Sequence, residues 1–521
     1  MFSFLSSIGT FLSAAPAAVN SCATMSCGLG SYFSKIVEFF SSLTSFQIDA
    51  AIVAVALMVL PVLGILGNTS WGRGTFQKFY GDIEGAELRK FLILAFAFGL
   101  VIGSYWSMRV IKDGFFNQMV GVDFVPRAKI LSVVLFSLVM FVFSNIVDYF
   151  KKHQLFLVVG AFYSLIFFGI ALADWMHLPE LTIFPFNLIP GRVIGWAYYI
   201  GVESLGGILV SAVFWAFVLS TTTTSLGKKG FPIIYIGGQI GQLVGTTFVK
   251  QFVHKFGHPL TIVCTTLPIL LLPLLIEFLL MTTPTHLMVN DQGVSADGVA
   301  VGAKKSKPSM MDGLKLIASH PYLVGLAVVS TVYEVVGTII DFQFKKTAAG
   351  IYSKEMLTSY FASFGQLLAI LSLLFAVLGT SFIVRTLGVR ICLLGYPTVI
   401  ALCVLAIMMK PTLGVFFIAM AAVKGFSYTL NNPVKELLYL PTSKDVKYKA
   451  KGFIDGLGGK ASKAGGSAIT DRILAMTGGS STALLQIGGL VSLGIVGAWV
   501  IVAFAVGKTY HDLVTNKKII E

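Results

Sequence analysis

The stretch SKDVKYKAKGFIDGLGGKASKAGGS, residues 443–467, decides how the chain must be folded, because it is rich in charge and lies between strongly apolar segments. It contains Lys444, Lys447, Lys449, Lys451, Lys460 and Lys463. The whole chain of 521 residues is 56% hydrophobic and only 12% charged, with 43 Phe residues. A soluble core cannot bury so much apolar surface, so the composition predicts an integral membrane protein.

Apolar runs of about 18 to 25 residues, each long enough to cross the hydrocarbon layer as a helix, recur along the chain. In the first half we expect spans near 91–111, 129–147, 155–173, 195–220, 231–250 and 259–281. In the second half we expect spans near 320–342, 357–384, 388–408, 412–432, 450–478 and 482–506. The predicted fold is an all-α membrane protein with twelve transmembrane helices in two six-helix bundles.

The predicted bundles are joined and flanked by more polar segments. The expected order is a leader (1–86), a first bundle (87–281), a central cytoplasmic loop (282–319), a second bundle (320–507) and a cytoplasmic tail (508–521). The leader carries an extra hydrophobic segment, residues 50–67, which we expect either to span the membrane or to lie at its surface. Its first residues resemble a signal peptide but lack the positive region that such a signal needs.

A weak internal sequence repeat indicates that the two halves arose by duplication. YWSMRVIKDGFF, residues 105–116, and YEVVGTIIDFQF, residues 333–344, share Tyr, Ile, Asp and Phe at equal offsets. Each stretch closes the first predicted helix of its half. Two related bundles joined by a central loop are typical of transporters, whose substrate site lies near the membrane midplane between the halves.

The placement of basic residues predicts the orientation, since Lys and Arg accumulate in cytoplasmic loops. Alternate loops of the twelve-span arrangement carry Lys151, Lys152, Lys228, Lys229, Lys304, Lys305, Lys307, Arg385, Arg390, Lys517 and Lys518. We therefore expect both termini to be cytoplasmic. This bias, together with attraction to anionic lipid, explains most of the net charge of +14.

The opening stretch is not explained in this way, because residues 450–478 must cross the bilayer if the C-terminus is to be cytoplasmic. A charge at the centre of a membrane helix costs about 2.5–3.5 kcal/mol, so Lys460 and Lys463 are expected to face an aqueous cavity. Lys451 and Asp455 are four residues apart and share a helix face. The alternative is a long cytoplasmic loop followed by a shorter helix.

Other charged residues lie within or beside predicted spans. Glu203 and Glu334 are both mid-span, and Lys112 follows Arg109 at the end of the first regular helix. Such residues mark substrate pathways in membrane proteins. The alternatives are a carboxyl group paired with a lysine to join helices and, for Lys112, an anchor at the interface. A run of glycines with i+4 spacing, residues 237–245, is typical of helix packing rather than of ligand binding.

Several lysines converging in a membrane cavity favour a multivalent anion such as a nucleotide polyphosphate. Hydrolysis is not favoured, because FIDGLGGKA, residues 453–461, places Ile454 and Ala461 where a phosphate-binding loop needs Gly and Ser or Thr. We therefore expect neither catalytic residues, cofactor, metal site nor nucleic-acid partner.

The segment NNPVKELLYLPTSKDVKYKAKGFIDGLGGKASKAGGS, residues 431–467, resembles the C-terminal signature of the nucleotide transporters of obligate intracellular bacteria and plastids, the ATP/ADP translocase family. The likeness extends through ELRKFL and YWSMRVIKD, the Glu203 helix, and VYEVVGTIIDFQFKK. It covers roughly residues 87–507. Where the ATP/ADP exchangers show an Asp-Thr pair before Lys-Asp, this chain has MRVIKD.

The resemblance implies a major-facilitator-type transporter in the membrane of a bacterial cell. Some members exchange ADP for ATP, and others import nucleoside triphosphates with protons. Residues required in the family match Lys112, Glu203, Glu334 and a later lysine that is either Lys451 or Lys463. The candidate substrate-binding residues are accordingly Lys112, Glu203, Glu334, Lys451, Lys463, Asp455, Arg109 and Lys460.

We expect ATP/ADP exchange by alternating access, with phosphate and other nucleotides as further candidate substrates. The alternative is proton-coupled triphosphate symport, which requires Glu203 or Glu334 to gain and lose a proton in each cycle. A membrane enzyme acting on a phosphorylated substrate is the weaker alternative.

Overall fold

The computed structural model describes residues 45–69, 82–83, 85–177, 191–289, 310–378, 381–427, 431–443 and 450–516, together with positions 77, 446 and 520. Helices account for nearly all of them. In chain order they are α1 (Ser45–Asn68), α2 (Gly85–Met119), α3 (Val125–Ile146), α4 (Gln154–Trp175), α5 (Val193–Ser220), α6 (Thr224–Thr282), α7 (Met310–Ser319), α8 (Pro321–Ala349), α9 (Lys354–Leu378), α10 (Ser381–Met409), α11 (Leu413–Phe426), α12 (Asn432–Leu438), α13 (451–477) and α14 (Ser481–Thr515).

Each predicted membrane span overlaps a helix, and α6 contains two of the spans. The span predicted near 357–384 extends beyond α9, which ends at Leu378, into the start of α10. Gly257 bends α6 with φ 68° and ψ 177°, a conformation that glycine adopts without a steric penalty. Ten helices in the described ranges are long and apolar enough to cross a membrane. The chain is therefore an integral multi-pass membrane protein of the predicted helical class.

Two helices that match predicted spans are not among those ten. α11 has only 14 residues. α13 is polar, and it continues through a π-helical turn at Ile454–Gly458 into a 19-residue α-helix. The predicted crossing near 450–478 is therefore helical throughout, and the alternative of a long loop before a short helix is wrong for residues 450–478. Three of the opening lysines, Lys444, Lys447 and Lys449, lie outside the described residues.

The first half is held together by close packing of α2 on α6. A Cβ atom on Gly237, Gly241 or Gly245 would overlap the backbone carbonyl groups of Ala95, Gly99 and Gly103, respectively. The two backbones therefore touch along three turns. The prediction that this glycine run is a helix-packing face is confirmed.

The two halves meet along two seams. On one side α9 packs against α2 and α6, and on the other α13 packs against α3. In the second half α8 packs on α13 and α14, and α10 packs on α14. The seams leave a central space between the halves, which contains the candidate site.

The hydrophobic segment of the leader forms α1, which packs on the first half. The carboxylate of Asp49 is buried and lies 2.6 Å from Lys250 Nζ, and it also accepts a hydrogen bond from Gln251. Farther along α1, Ala56 joins an apolar cluster with Ile240 of α6 and Ala369 of α9. This helix is long and apolar enough to cross a membrane.

Helices extend into two of the predicted connecting segments. The central segment 282–319 contains α7, which begins at Met310, whereas residues 290–309 lie outside the described ranges. The helix α14 continues to Thr515, past the predicted bundle end at residue 507. Ile520 then forms a parallel bridge with Thr442, which ties the end of the chain to the segment before α13.

Candidate functional site

A cavity of about 190 Å³ lies between the halves. Its walls come from α2, α3 and α5 on one side and from α8, α11 and α13 on the other. The charged lining residues are Arg109, Lys112, Lys129, Glu203, Glu334, Asp341, Lys345, Lys424, Lys460 and Lys463. Seven of these side chains are basic and three are carboxylates, so the lining has an excess of four positive charges.

Lys112 is paired within the first half. Its ammonium group lies 2.6 Å from Glu203 Oε1 and 3.4 Å from Asp113 Oδ1, and its side chain is only 2% exposed. The ring of Tyr199 lies 4.0 Å from the same nitrogen atom. Lys112 is therefore a buried cation held by two carboxylates rather than an anchor at the membrane interface.

A second group of ion pairs joins the halves. Lys345 of α8 lies 2.9 Å from Asp113 of α2 and 3.1 Å from Asp341 of its own helix. Lys129 of α3 lies 2.7 Å from Asp341. Asp113 and Asp341 occupy equivalent positions in the internal repeat, so one lysine contacts the matching carboxylate of each half.

Two further ion pairs cross between the halves at the same end of the bundle. Arg127 Nε lies 2.9 Å from Asp471 Oδ1, and Lys346 is paired with Asp123. We call the contacts Lys345–Asp113, Lys129–Asp341, Arg127–Asp471 and Lys346–Asp123 the bridging ion pairs. One of them joins the C-terminal end of α8 to that of α2, and the other three join the C-terminal ends of α8 and α13 to residues 123–129 at the start of α3. Together they close one end of the central space.

Glu334 is held on the opposite wall. Its carboxylate accepts a hydrogen bond of 2.8 Å from Tyr333 and lies 3.5 Å from Lys463 Nζ. The Lys463 side chain is 49% exposed, so this contact is open to water. The pairing joins α8 to α13 across the cavity wall. Both mid-span glutamates therefore have a lysine partner.

Two basic residues in the lining have no carboxylate partner among the described side chains. Lys424 of α11 forms neither an ion pair nor a hydrogen bond there, and the Lys460 ammonium group lies over the ring of Phe136. Arg109 stacks on Trp106, with 4.7 Å between the guanidinium carbon and the ring centroid. Removing a cation from water without a counter-ion is costly, so Lys424 and Lys460 are suited to an anionic ligand.

The structure brings together six of the eight predicted site residues, namely Arg109, Lys112, Glu203, Glu334, Lys460 and Lys463. Lys451 is not among the cavity-lining residues, and its ammonium group lies 2.6 Å from Glu436 of α12. Of the two candidates for the later family lysine, Lys463 is the one in the cavity. Asp455 lies in the π-helical turn of α13, and its side chain is outside the described set.

Sequence reasoning missed five charged residues, namely Asp113, Lys129, Asp341, Lys345 and Lys424. Lys424 lies inside a predicted span, so the rule that selected Glu203 and Glu334 would have found it. The others lie at or near the ends of spans, where charge is ordinary. Their pairing is visible only in three dimensions.

The glycines of α13 have different roles. A Cβ atom on Gly466 would lie 2.6 Å from the carbonyl oxygen of Val335, and one on Gly458 would lie 3.0 Å from the Thr331 side chain. These two glycines therefore allow α13 to approach α8. Gly459 and Gly465 have nothing within 4 Å of such an atom, so they leave open space.

The model of one family, described as TLC ATP/ADP transporter, matches residues 70–409 and 403–510. The chain belongs to this family. It is a transporter rather than an enzyme, and the predicted family is confirmed.

The transporter is similar to curated carriers of bacteria and plastids. It is 23% identical over 434 residues to ADP,ATP carrier protein 1 of Rickettsia typhi, covering 75% of this chain and 87% of that one. It is 24% identical over 498 residues to ADP,ATP carrier protein 2 of Chlamydia pneumoniae, covering 84% and 91%. The chloroplastic ADP,ATP carrier protein 2 of Arabidopsis thaliana is 23% identical over 495 residues, covering 85% and 78%.

Solved structures show the same fold at low sequence identity. A POT family transporter in complex with 5-aminolevulinic acid matches with a TM-score of 0.56 and 12% identity, covering 80% of this chain and 96% of that one. A bacterial homologue of the lysosomal transporter Spinster matches with a TM-score of 0.53 and 12% identity, covering 82% and 98%. The major-facilitator-like architecture predicted from the sequence is therefore confirmed.

Proposed function

We propose that the transporter exchanges ATP for ADP by alternating access, and that the central cavity binds the polyphosphate chain. The main support for this proposal is the cluster of seven basic side chains in the cavity lining, which outnumber the three carboxylates there. A polyphosphate supplies the missing negative charge and accepts charge-assisted hydrogen bonds from several donors at once. The names of the curated relatives, ADP,ATP carrier proteins, support these two substrates.

The size of the cavity indicates that binding requires movement. Ligand sites for small molecules usually have volumes of about 300–1,000 Å³, whereas this cavity has about 190 Å³. The side chains of its own ion pairs occupy part of the space. A nucleotide enters when the halves separate at one end and when lysines exchange carboxylate partners for phosphate oxygens.

The bridging ion pairs hold the halves together at one end of the central space, so in this state the halves can separate only at the opposite end. Lys129 and Lys345 belong both to the bridging ion pairs and to the cavity lining. Phosphate oxygens that attract either ammonium group therefore compete with Asp341 or Asp113. Binding weakens the contacts between the halves, and this links an occupied site to the opening of the closed end.

Exchange is favoured over proton symport by the pairing of the carboxylates. Each of the three lining carboxylates already has a lysine within 3.5 Å. In this arrangement the carboxylates act as fixed counter-charges for the empty carrier. The empty cavity retains uncompensated positive charge, and its closure and reorientation are costly until an anion is bound. Proton coupling requires one of these carboxylates to leave its lysine and take up a proton.

We propose that the transporter lies in a bacterial cell membrane, as its similarity to Rickettsia and Chlamydia carriers suggests. Basic pairs at positions 151–152 and 228–229 lie in the polar connections after α3 and at the start of α6. By the positive-inside rule these connections and the C-terminus face the cytoplasm. Because α1 is a further crossing before α2, its start at Ser45 then lies on the outer side, contrary to the expectation that both termini are cytoplasmic. The bridging ion pairs then lie on the outer side, so the cavity faces the cytoplasm in this state.

The test is uptake of labelled ATP into vesicles that contain the purified full-length protein. We expect uptake to accelerate when ADP is present inside and to be insensitive to a protonophore. Glu203→Gln and Glu334→Gln should slow exchange to a similar extent at two external pH values. Absence of uptake for every nucleoside di- and triphosphate would refute the nucleotide reading.

The same vesicles decide between the coupling modes. Accumulation in the parent that is driven by an imposed proton gradient, without internal nucleotide, would establish symport instead of exchange. Under symport, the Gln variant of the titrating carboxylate would lose gradient-driven accumulation while retaining some exchange. The two glutamates therefore act as matched variants of each other.

A further inference from the structure

One wall of the central cavity is aromatic. Tyr105 of α2 and Phe136 of α3 line it, and both side chains are partly buried. Tyr105 lies seven residues before Lys112, and Phe136 lies seven residues after Lys129. Because α2 and α3 run in opposite directions, both rings lie on the same side of the bridging ion pairs, about 10 Å farther along each helix. The cavity therefore has a charged end and an aromatic end.

The rings rest against two glycines of α5. A Cβ atom on Gly206 would overlap the ring of Tyr105, and one on Gly207 would overlap the ring of Phe136. Both glycines begin the π-helical segment Gly206–Trp215. Such segments are rare, and they occur frequently at functional sites. Because Gly206 and Gly207 have no side chains, the two rings pack directly on the backbone of α5. Each ring also borders the cavity.

A basic residue lies beside this aromatic wall. The Lys460 ammonium group sits over the Phe136 ring and would be 3.3 Å from a Cβ atom on Gly207. It has no carboxylate partner among the described side chains. The cation uses a ring face that a planar ligand can also use, since both are attracted to the same aromatic surface. The wall thus offers π faces next to a positive charge.

We propose that Tyr105 and Phe136 form the nucleobase subsite, with the base stacked on their rings and the phosphates extending towards Lys112 and Lys345. This inference rests on the proposed nucleotide transport. Base stacking on aromatic side chains is strong and tolerates different bases. Lys460 moves from the Phe136 ring to the first phosphate groups as the base arrives. The subsite would bind the part of the substrate that ATP and ADP share.

The test compares ATP with inorganic tripolyphosphate, which has the phosphate chain but no base. In vesicles, Tyr105→Leu and Phe136→Leu should each raise the KM for ATP by about tenfold, the effect of losing one stacking contact. The inhibition constant of tripolyphosphate should remain within about twofold of the parent. Phe141→Leu is the matched control, since Phe141 lies on the same helix with 66% of its surface exposed.

A second variant keeps the proposal testable if the leucine variants do not fold. Phe136→Trp retains a ring, so its KM should match the parent, and its added indole fluorescence should be quenched by ATP but not by tripolyphosphate. An unchanged KM in both leucine variants would overturn the subsite. So would equal losses for ATP and tripolyphosphate, or an indole that does not respond to ATP. Failure of tripolyphosphate to compete in the parent would instead refute the proposed polyphosphate site.

Discussion

Replacing Asp341 by Asn is expected to open the closed end of the transporter. Asp341 receives Lys129 at 2.7 Å and Lys345 at 3.1 Å. Lys345 keeps Asp113 as a second partner, whereas Lys129 has no other carboxylate partner among the described side chains. Losing a charge-assisted hydrogen bond costs about 1.5–3 kcal/mol, and leaving a buried charge unpaired costs about 3–5 kcal/mol.

A loss of about 3 kcal/mol from the closed state corresponds to a shift of roughly 100-fold or more in the equilibrium between closed and open outer ends. The assay is labelling by a membrane-impermeant maleimide added outside, in a variant without native cysteines that carries Ser132→Cys. Ser132 lines the cavity one turn beyond Lys129 and is 5% exposed. Asp341→Asn should raise the labelling rate by about the same factor as the equilibrium.

Asp471→Asn is the matched control, because it breaks the bridging pair with Arg127, whose side chain is 41% exposed. An exposed pair contributes about 0–1 kcal/mol, so labelling should change by no more than about fivefold. Labelling of the Asp341→Asn protein at the parental rate would refute the role given to this carboxylate. Equal effects of the two substitutions would refute the argument from burial.

Three further predictions concern the cavity and α1. Lys463→Ala should weaken triphosphate binding by about 1.5–3 kcal/mol and monophosphate binding by less, which calorimetry on the detergent-solubilised protein can measure; equal losses for all phosphate lengths would make Lys463 a structural residue. Lys424→Gln should raise the KM for ATP about tenfold, because it removes a cation suited to phosphate. The unfolding temperature should stay unchanged or rise, because this cation has no partner among the described side chains, and a lower unfolding temperature would contradict that expectation. Asp49→Asn should lower the unfolding free energy by about 3 kcal/mol, because Lys250 then lacks its counter-ion; an unfolding temperature equal to that of the parent would show that apolar packing alone holds α1.

The sequence was sufficient to predict the membrane spans, because a membrane helix can be recognised from its length and hydropathy alone. The sequence also predicted α13. A cytoplasmic C-terminus required residues 450–478 to cross the membrane, and the charges of this segment then required an aqueous cavity. Glycine spacing predicted a helix-packing face on α6, since close approach of backbones leaves few residue types possible, but it did not identify α2 as the partner.

The ion-pair partners were beyond sequence reasoning. The spacing of Lys451 and Asp455 placed them on one helix face, but Lys451 contacts Glu436, which comes from another helix. Lys345 reaches Asp113 across more than 200 residues of sequence, and no local pattern specifies that contact. The sequence analysis likewise did not predict the bend at Gly257 or the π-helical turns of α5 and α13.

The attachment of α1 is different on its two sides, and this has a consequence for how the halves can move. Towards α6 it is fixed by the directional contacts of Asp49, while its cluster with α9 through Ala56 and Ala369 is purely apolar. An ion pair has one favourable geometry, but an apolar contact keeps most of its energy when the surfaces slide. α1 should therefore move together with the first half, while α9 of the second half slides along its apolar surface. The seam between the halves then stays covered from lipid during each conformational change.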